Sequence, residues 1–301
     1  MRPLAIVNPA SGGGRCGRKA PRLLERLAQR GFSPEVVFTK AQGDASAIAA
    51  RAFITGRRTI VVMGGDGTLF EVVNGLMPHA RGDERLLVCV APLGTGNSLV
   101  RDLPSVGGDA IGENSATAAA SIDLLRVVCD ERTFWCANMV SFGFAAAVGR
   151  LVNNRLKPLG SAGYSAGVLW MVARLAPHLL PYRLDAGDFR REALTLLSVA
   201  NSRYTGAGML MAPQARVDDA EMDVVSGAEM SRSQLLRLFP KIFDGSHVAS
   251  PLVLHKRAKT LEFEFSAPIG MIADGEFLEA TPRRIEVEPR ALRMAAIRPA
   301  I

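Results

Sequence analysis

Three short glycine-containing segments carry the residue types best suited to chemistry in this sequence. They are NPASGGGR at 8–15, GGDGT at 64–68 and PLGTGNS at 92–98. Glycine lets backbone N–H groups turn toward an anion, and the N-terminus of a following helix adds partial positive charge. Asp66 adds a carboxylate beside these donors, and Mg²⁺ prefers oxygen ligands shared with substrate phosphates. The pattern therefore predicts a nucleotide phosphate site that takes Mg²⁺.

Asp66 also fits a simpler interpretation, because an acid at the positive end of a helix can cap its first turn. The glycine segments are not P-loops, since no GK[ST] follows them, and the GxGxxG motif is absent. A single glycine turn after a strand is usually only a turn. Three of them on one edge of a sheet favour the phosphate site.

The elements that must position these segments fill the first 125 residues. Apolar periodicity predicts strands in LAIVN, PEVVFT, RTIVVM and RLLVCVAP, and helices in GRKAPRLLERLAQRG, DASAIAARAFITG and LFEVVNGLM. Asp44 is predicted to cap the second helix. Alternating strands and helices indicate a parallel sheet with right-handed crossovers. Because the carboxyl ends of parallel strands share one edge, the three glycine segments should converge.

Beyond about residue 125 the pattern changes to short β-type runs, interrupted by one helical insertion around 154–180. Such runs predict an antiparallel β-sandwich or barrel. The fold class expected is therefore an N-terminal α/β nucleotide-binding domain, 1–125, followed by an antiparallel β-sandwich domain, 126–284. A final strand at about 285–301 is expected to return to the first domain.

Composition narrows the partners. The 301 residues include 36 Lys and Arg against 29 Asp and Glu, a net charge of +7, which favours phosphate-bearing ligands, nucleic acid or an anionic membrane. The arginines show no recognition helix or aromatic platform, so nucleic-acid binding is not expected. A basic helix between Arg15 and Arg30 could face anionic lipid or only solvent. The N-terminus leaves no room for a signal peptide, which predicts a cytoplasmic protein.

Membrane-spanning segments are not expected either, since the most apolar later stretch, AGYSAGVLWMVARLAPHLL, falls short of about 20 clean residues. Any membrane contact should then be peripheral. The four cysteines form no CxxC pair and are expected to be reduced core or surface thiols. They are Cys16, Cys89, Cys129 and Cys136.

The glycine segments and several later stretches together resemble the diacylglycerol kinase-like lipid kinases, which include bacterial diacylglycerol kinases and the sphingosine and ceramide kinases. The similarity covers nearly the whole chain. In the second half it rests on NMVSFGFAAAV, KPLGSAGYSAG, VANSRYTGAGMLMAPQARVDDAEMDV and IADGEFLEATP. GGDGT alone is shared with the NAD kinases and, loosely, the phosphofructokinases. The resemblance implies an ATP-dependent kinase with a lipid-binding cleft between its two domains.

Site residues follow from the resemblance by motif. Asp66 is implied near the phosphates and their Mg²⁺, and DGE at 274–276 looks like the catalytic acid motif. Asp274 or Glu276 would be the base, and the sequence does not separate them; DGE alone would read as a hairpin turn. The residues implied to hold ATP are Asn8, Ser11, Gly12, Gly13, Gly14, Thr39, Gly64, Gly65, Asp66, Gly67, Thr68, Glu71, Gly94, Thr95, Gly96 and Asn97.

A structural Mg²⁺ is implied at Asp218, Asp219 or Asp223, as in some members of the family. Two positions depart from the family pattern. Ala220 stands where glycine usually follows the two aspartates, which costs stability if the position needs a positive φ. Ser98 stands where aspartate commonly follows GTGN, and this change could weaken a polar contact at the nucleotide edge or matter little.

Other functions stay open at this point. GYSAG at 163–167 fits the GxSxG nucleophile elbow, but no apolar strand precedes it. An NAD kinase-like enzyme would share GGDGT, although the second half contains no Asn-Glu pair, and a non-catalytic nucleotide- or lipid-binding protein could keep the same fold. The expected function is transfer of the γ-phosphoryl group to a lipid hydroxyl, with diacylglycerol as the default acceptor. The sequence does not indicate an oligomeric state, and a homodimer is left open.

Overall fold

The computed structural model describes residues 1–106, 119–151, 170, 172, 174–206 and 208–297. The contacts divide the chain into two units, one of Met1–Asp123 with Pro289–Ile301 and the other of Leu124–Glu288. The GYSAG segment and most of the predicted helical insertion lie outside the described residues.

Unit 1 is built on a parallel sheet with the order β2-β1-β3-β4 followed by the last residues of β18. A short strand, β5, pairs in parallel with the end of β18. The strands are β1 (Leu4–Val7), β2 (Glu35–Phe38), β3 (Thr59–Gly64), β4 (Leu87–Pro92), β5 (Ser105–Val106) and β18 (Pro282–Ile297).

Three helices alternate with these strands: α1 (Arg15–Gln29), α2 (Asp44–Ile54) and α3 (Asp66–Ala80). A 3₁₀ turn at Leu99–Arg101 follows β4. Strands β1, β3 and β4 are almost wholly buried, because the helices cover the sheet. The carboxyl ends of these three strands therefore lead into the three glycine segments along one edge.

Helix α1 packs on the sheet because its apolar residues recur at spacings of three and four. Cys16, Ala20, Leu23 and Leu27 join the core formed with alternate residues of β1, β3 and β4. The opposite face carries exposed cations.

Helices α2 and α3 pack closely on each other. A Cβ atom at Gly75 would lie 2.2 Å from the Ser46 carbonyl oxygen, so only glycine permits this approach. The predicted cap of α2 is wrong: Gly43 is the N-cap, and Asp44 is the first helical residue. The Asp44 carboxylate instead accepts hydrogen bonds from the backbone N–H groups of Lys40 and Ala41 in the preceding turn.

Unit 2 is an antiparallel β structure with the strand order β17-β16-β8-β10-β9-β15 and then the first part of β18. Strand β10 also pairs with β13, which pairs with β14, and β6 pairs with β7. The strands are β6 (Ala120–Cys129), β7 (Thr133–Cys136), β8 (Met139–Gly143), β9 (His178–Leu184), β10 (Arg190–Ala200), β11 (Tyr204–Thr205), β12 (Met209–Leu210), β13 (Met222–Ala228), β14 (Val253–Ala258), β15 (Thr260–Phe263), β16 (Ile269–Ala273) and β17 (Glu276–Ala280).

Strand β10 connects the layers of this unit because its two halves have different neighbours. Its first half pairs with β9 and its second half with β8, and β10 itself is bulged between Leu194 and Leu196 where it pairs with β13. Helices α4 (Phe144–Leu151) and α5 (Arg232–Leu238) and two 3₁₀ turns at Phe239–Ile242 and Ser246–Ala249 complete the described part. The predicted fold class, parallel α/β followed by antiparallel β, is confirmed.

Candidate functional site

The three glycine segments of unit 1 converge, as the strand pattern predicted. Asn8 Nδ2 donates to Thr68 Oγ1 at 3.0 Å, joining the first segment to the second. The Ser98 backbone N–H donates to Asp66 Oδ1 at 2.9 Å, joining the third segment to the second. One edge of the sheet thus gathers all three loops into a single site.

The first loop is shaped for an anion by successive glycines. Gly12, Gly13 and Gly14 have φ values of 64°, 65° and 81°, in the left-handed region that favours glycine. In the described chain the N–H groups of Gly12 and Gly13 have no protein acceptor. Helix α1 begins at Arg15, so these donors lie beside its positive end. The loop can therefore accept a phosphate through backbone N–H groups.

The second and third loops touch through their backbones at Gly65 and Gly94. A Cβ atom added to Gly94 would lie 2.3 Å from the Gly65 Cα atom, well inside van der Waals contact. Glycine is required here by the close approach of two chains rather than by a positive φ.

We expect Gly94→Ala to separate these loops, weaken nucleotide binding at least about tenfold and destabilise unit 1 by about 2 kcal/mol or more. Thermal unfolding and nucleotide titration would measure both. Gly13→Ala is the matched control for stability, since a Cβ there has nothing within 4 Å and only the strain of its φ applies. Equal stability losses in the two variants would contradict the close-packing explanation.

Arg15 is a site residue that the sequence reasoning did not single out. Its Nε donates to the Gly12 carbonyl at 3.0 Å, and its Nη2 donates to Thr95 Oγ1 at 3.3 Å. The guanidinium thus links the first and third loops and keeps an exposed positive charge beside them. Its only signal in the sequence is its place directly after the glycine run, where a cation is unfavourable to the helix itself.

Asp66 is the first residue of α3, and Gly65 is the N-cap. Burial raises the pKa of Asp66 to about 6, and this effect outweighs the hydrogen bonds from Ser98 and Asn97 and the charge of Arg101, which lower it. A nearby cation stabilises the charged form of a desolvated carboxylate more than that of an exposed one. The side chain therefore fits a Mg²⁺ that arrives with nucleotide phosphates, in addition to starting a helix.

Ser98, which stands where the family resemblance implies an aspartate, is almost fully buried beside Asp66. Its backbone N–H makes the main contact, and its hydroxyl lies 3.5 Å from Asp66 Oδ2. An aspartate here would place a second carboxylate against the first. The serine keeps the backbone contact and avoids that repulsion.

Three other residues implied for ATP make contacts that support the loops. Glu71 Oε2 accepts the Ala45 N–H at 3.1 Å, at the start of α2. Asn97 has a φ of 49° and bonds to both the N–H and the carbonyl of Gly94, closing its own loop. Thr39 is buried at the end of β2. Their assignment to ATP stays a prediction.

The DGE motif of unit 2 forms a hairpin turn between β16 and β17. Ala273 pairs with Glu276, and the two turn residues, Asp274 and Gly275, have φ values of 47° and 90°. Two successive positive φ values are typical of a type I′ turn, for which Asp-Gly is a favoured pair. The turn does not exclude a catalytic acid in this motif, because Glu276 lies outside the two turn residues and begins the next strand.

Asp274 is 5% exposed and its carboxylate is held by backbone donors. Oδ2 accepts the Ala137 N–H at 2.8 Å, and Oδ1 accepts the Asn138 and Met139 N–H groups at 3.0 and 2.9 Å. Three such bonds commit both carboxylate oxygens to the backbone of residues 137–139. Asp274 therefore shapes the link between β7 and β8, and Glu276 is left as the better candidate base.

The segment around Asp274 belongs to a buried polar network that the sequence reasoning missed. Asn201 Nδ2 donates to the Ala137 carbonyl at 2.9 Å, and the Ser202 hydroxyl contacts Asn138 Oδ1. All of these residues are buried. Its only signal in the sequence is a repeated Ala-Asn pair, at 137–138 and 200–201.

The three aspartates implied for a structural Mg²⁺ are each paired with a basic side chain. Asp218 pairs with Arg216, Asp219 with Arg257, and buried Asp223 with His255. Among the described residues no group of three or more His, Cys, Asp or Glu side chains could hold a metal ion. Arg216 and Arg257 neutralise Asp218 and Asp219, whereas the buried Asp223 keeps its Oδ2 without a hydrogen-bond partner in the described part of the chain, so this metal stays a prediction.

Ala220 has a φ of 59°, so this position needs the conformation that the usual glycine adopts freely. We expect Ala220→Gly to raise the free energy of unfolding by about 1 kcal/mol, because an L-residue is strained there. Denaturant unfolding would measure the change. Ala28→Gly, in α1, should instead lower it by about 1 kcal/mol, and a loss in both variants would contradict the strain.

Unit 2 contains an open cavity of about 720 Å³ beside α4, β9 and the β16–β17 hairpin. Apolar side chains such as Leu151, Leu180 and Phe277 line it together with Arg150 and Arg174. No acidic residue is among the described residues of its wall. The cavity is of the size and polarity of a small-molecule or lipid site.

Two family profiles match the chain. The diacylglycerol kinase catalytic domain matches residues 2–127, and the YegS C-terminal NAD kinase beta sandwich-like domain matches residues 138–296. A protein named diacylglycerol kinase from Mycobacterium tuberculosis H37Rv is 33% identical, over 96% of this chain and 93% of that protein. A Xanthomonas euvesicatoria protein named "Probable lipid kinase YegS-like" is 31% identical, over 89% of this chain and 88% of its own.

A solved structure agrees in fold. A proposed diacylglycerol kinase from Bacillus anthracis superposes with a TM-score of 0.74 at 24% identity, covering 100% of this chain and 96% of that one. The fold and the matches define a kinase-type chain of two units. The chain belongs to the diacylglycerol kinase-like family of lipid kinases. NAD kinase enters these matches only as the name of a sandwich fold.

Proposed function

We propose that this chain is an ATP-dependent lipid kinase that transfers the γ-phosphoryl group to the hydroxyl of diacylglycerol or a related lipid alcohol. The observation that carries the proposal is the convergence of the three glycine loops of unit 1. Gly12 and Gly13 offer N–H donors that no described residue accepts, and Asp66 offers a half-buried carboxylate. Relatives named as diacylglycerol and lipid kinases support the choice of acceptor.

In the proposed reaction the backbone N–H groups of the first loop and the Arg15 guanidinium bind the phosphates of ATP. Asp66 would hold Mg²⁺, which when bound neutralises charge on the transferred phosphoryl group. The lipid hydroxyl oxygen forms the new bond to the γ-phosphorus, and the bond from that phosphorus to the bridging oxygen of ADP breaks. Glu276 takes up the hydroxyl proton. Positioning and charge neutralisation supply most of the catalysis.

The test is transfer of labelled γ-phosphate from Mg-ATP into the organic phase, with a panel of lipid alcohols in mixed micelles and NAD alongside. Label in a lipid, lost in Asp66→Asn and Glu276→Gln, is the expected result and would name the acceptor. Label in NAD alone would replace the proposal with a pyridine-nucleotide kinase. Nucleotide binding without any transfer would indicate a binding protein on the same fold.

A further inference from the structure

The open side of the unit 2 cavity carries two large apolar side chains in water. Trp170 is 55% exposed and Leu179 is 65% exposed, and both belong to the cavity wall. Burying such apolar side chains is favourable, and a monomeric protein normally buries them in its core. We define the rim as Arg150, Trp170, Arg174 and Leu179.

The two arginines of the rim have no acidic partner among the described residues. In the described chain neither guanidinium pairs with a carboxylate; Arg174 lies 4.7 Å over the Trp170 ring and Arg150 lies 5.7 Å over the Phe277 ring. Elsewhere in unit 2 arginines do find acids, for example Arg183 with Glu262. Two cations without a carboxylate partner in the described ranges, beside exposed tryptophan and leucine, make a surface that complements an apolar partner with anionic groups.

We infer that the rim is the surface through which this protein docks on an anionic phospholipid membrane. Tryptophan suits the headgroup level of a bilayer because one end of its ring is apolar and the other polar. Leu179 would enter the acyl boundary, and Arg150 and Arg174 would meet lipid phosphates. The inference rests on the proposed function in one respect, that the lipid acceptor is presented by a membrane.

The rim fits a membrane better than the basic face of α1 does. That helix exposes cations such as Arg18 and Arg22, but its apolar residues point into the core. A face that carries only charges can bind anionic headgroups, but it inserts no apolar side chain into the bilayer and adjoins no apolar cavity. The rim combines charge, exposed apolar area and direct continuity with a cavity of about 720 Å³.

The test uses the full chain without ATP and vesicles of phosphatidylcholine with or without phosphatidylglycerol. We expect sedimentation with the anionic vesicles and a blue shift of tryptophan emission. The sequence has only two tryptophans, and Trp135 is buried, so the shift should vanish in Trp170→Phe. A shift that persists in Trp170→Phe would overturn the inference.

Variants assign the binding to the rim. Arg150→Gln with Arg174→Gln should weaken binding to anionic vesicles about 30-fold, at about fivefold for each cation, and Leu179→Ser about tenfold. Arg232→Gln with Arg237→Gln and, separately, Phe243→Ser match these changes at exposed positions of unit 2 that do not line the cavity. The inference would be overturned if the rim variants and the matched variants lost equal amounts of vesicle binding. It would also be overturned if only Arg18→Gln with Arg22→Gln lost binding, or if the wild-type protein bound no vesicles.

Failure of this inference is distinguishable from failure of the proposed function. The rim variants should lose far more transfer when the acceptor is embedded in anionic vesicles than when it is dispersed in detergent micelles, because only the anionic vesicle surface is bound through the rim. Transfer that falls equally in micelles and vesicles would place the rim in acceptor binding and overturn membrane docking. Vesicle binding without transfer to any acceptor would leave docking standing and remove the kinase.

Discussion

Replacing Glu276 by Gln should lower kcat for lipid phosphorylation by about two to four orders of magnitude, because a positioned general base contributes about that much. The amide keeps the size of the side chain but cannot take up the hydroxyl proton. Thermal unfolding should stay close to that of the wild type, since the substitution removes no packing. Initial rates at saturating Mg-ATP and a melting curve would measure the two effects.

The comparison variant is Asp274→Asn. In contrast to Glu276→Gln, it should lose stability and keep most of its kcat. Its amide group would face the Ala137 N–H, leaving buried donors against each other, so we expect a loss of about 2–3 kcal/mol of stability. The residual folded protein should keep much of its kcat under stabilising conditions. If Asp274→Asn were stable and inactive while Glu276→Gln kept its activity, the two roles would have to be exchanged.

Asp66→Asn should separate the effect of the buried carboxylate on folding stability from its effect on phosphoryl transfer. The pKa of Asp66 is about 6 in the folded chain against 3.8 in the unfolded one, so the folded state binds more protons between these values. Wild-type stability from this group is therefore lost as pH rises from about 4 to 6. With about 1.4 kcal/mol for each pKa unit, and a discount for partial exposure, Asp66→Asn should be more stable by about 1–2 kcal/mol at pH 7.5.

The same variant should lose phosphoryl transfer by about two to three orders of magnitude, because it can no longer neutralise and hold the cation that accompanies the phosphates. The side-chain oxygen of the introduced asparagine would still accept the Ser98 N–H, so the loops should stay together. Denaturant unfolding at pH 4.5 and 7.5, beside rates at several Mg²⁺ concentrations, measures both effects. A stability difference that did not grow with pH would contradict the raised pKa.

The sequence supports the fold class because periodicity reports burial directly. The four predicted strands of the first sheet and its three helices lie where the apolar spacing indicated, and the glycine segments meet at one edge because parallel strands leave no other arrangement. The cap of α2 was mispredicted for a local reason. Asp44 can accept N–H groups on either side of itself, and in the structure the preceding turn has them.

Other features of the site depend on contacts that a linear pattern does not encode. Asp274 and Glu276 are separated by one residue in sequence, yet only the structure shows three backbone N–H groups on Asp274 that come from more than 130 positions away. The ion pair between Asp219 and Arg257 likewise joins the turn before β13 to β14 across 38 positions, and it involves one carboxylate of the expected metal set. Composition could count these charges but could not pair them.

Strand β18 has a consequence for biosynthesis. Its first residues pair with β15 in unit 2, and its residues 293–296 pair with β4 in unit 1, more than 200 positions from their partners. The sheet that carries the glycine loops is thus completed only when residues 293–296 have left the ribosome. Until then the edge of β4 is unpaired, and an incomplete chain exposes a buried parallel strand that chaperones can bind.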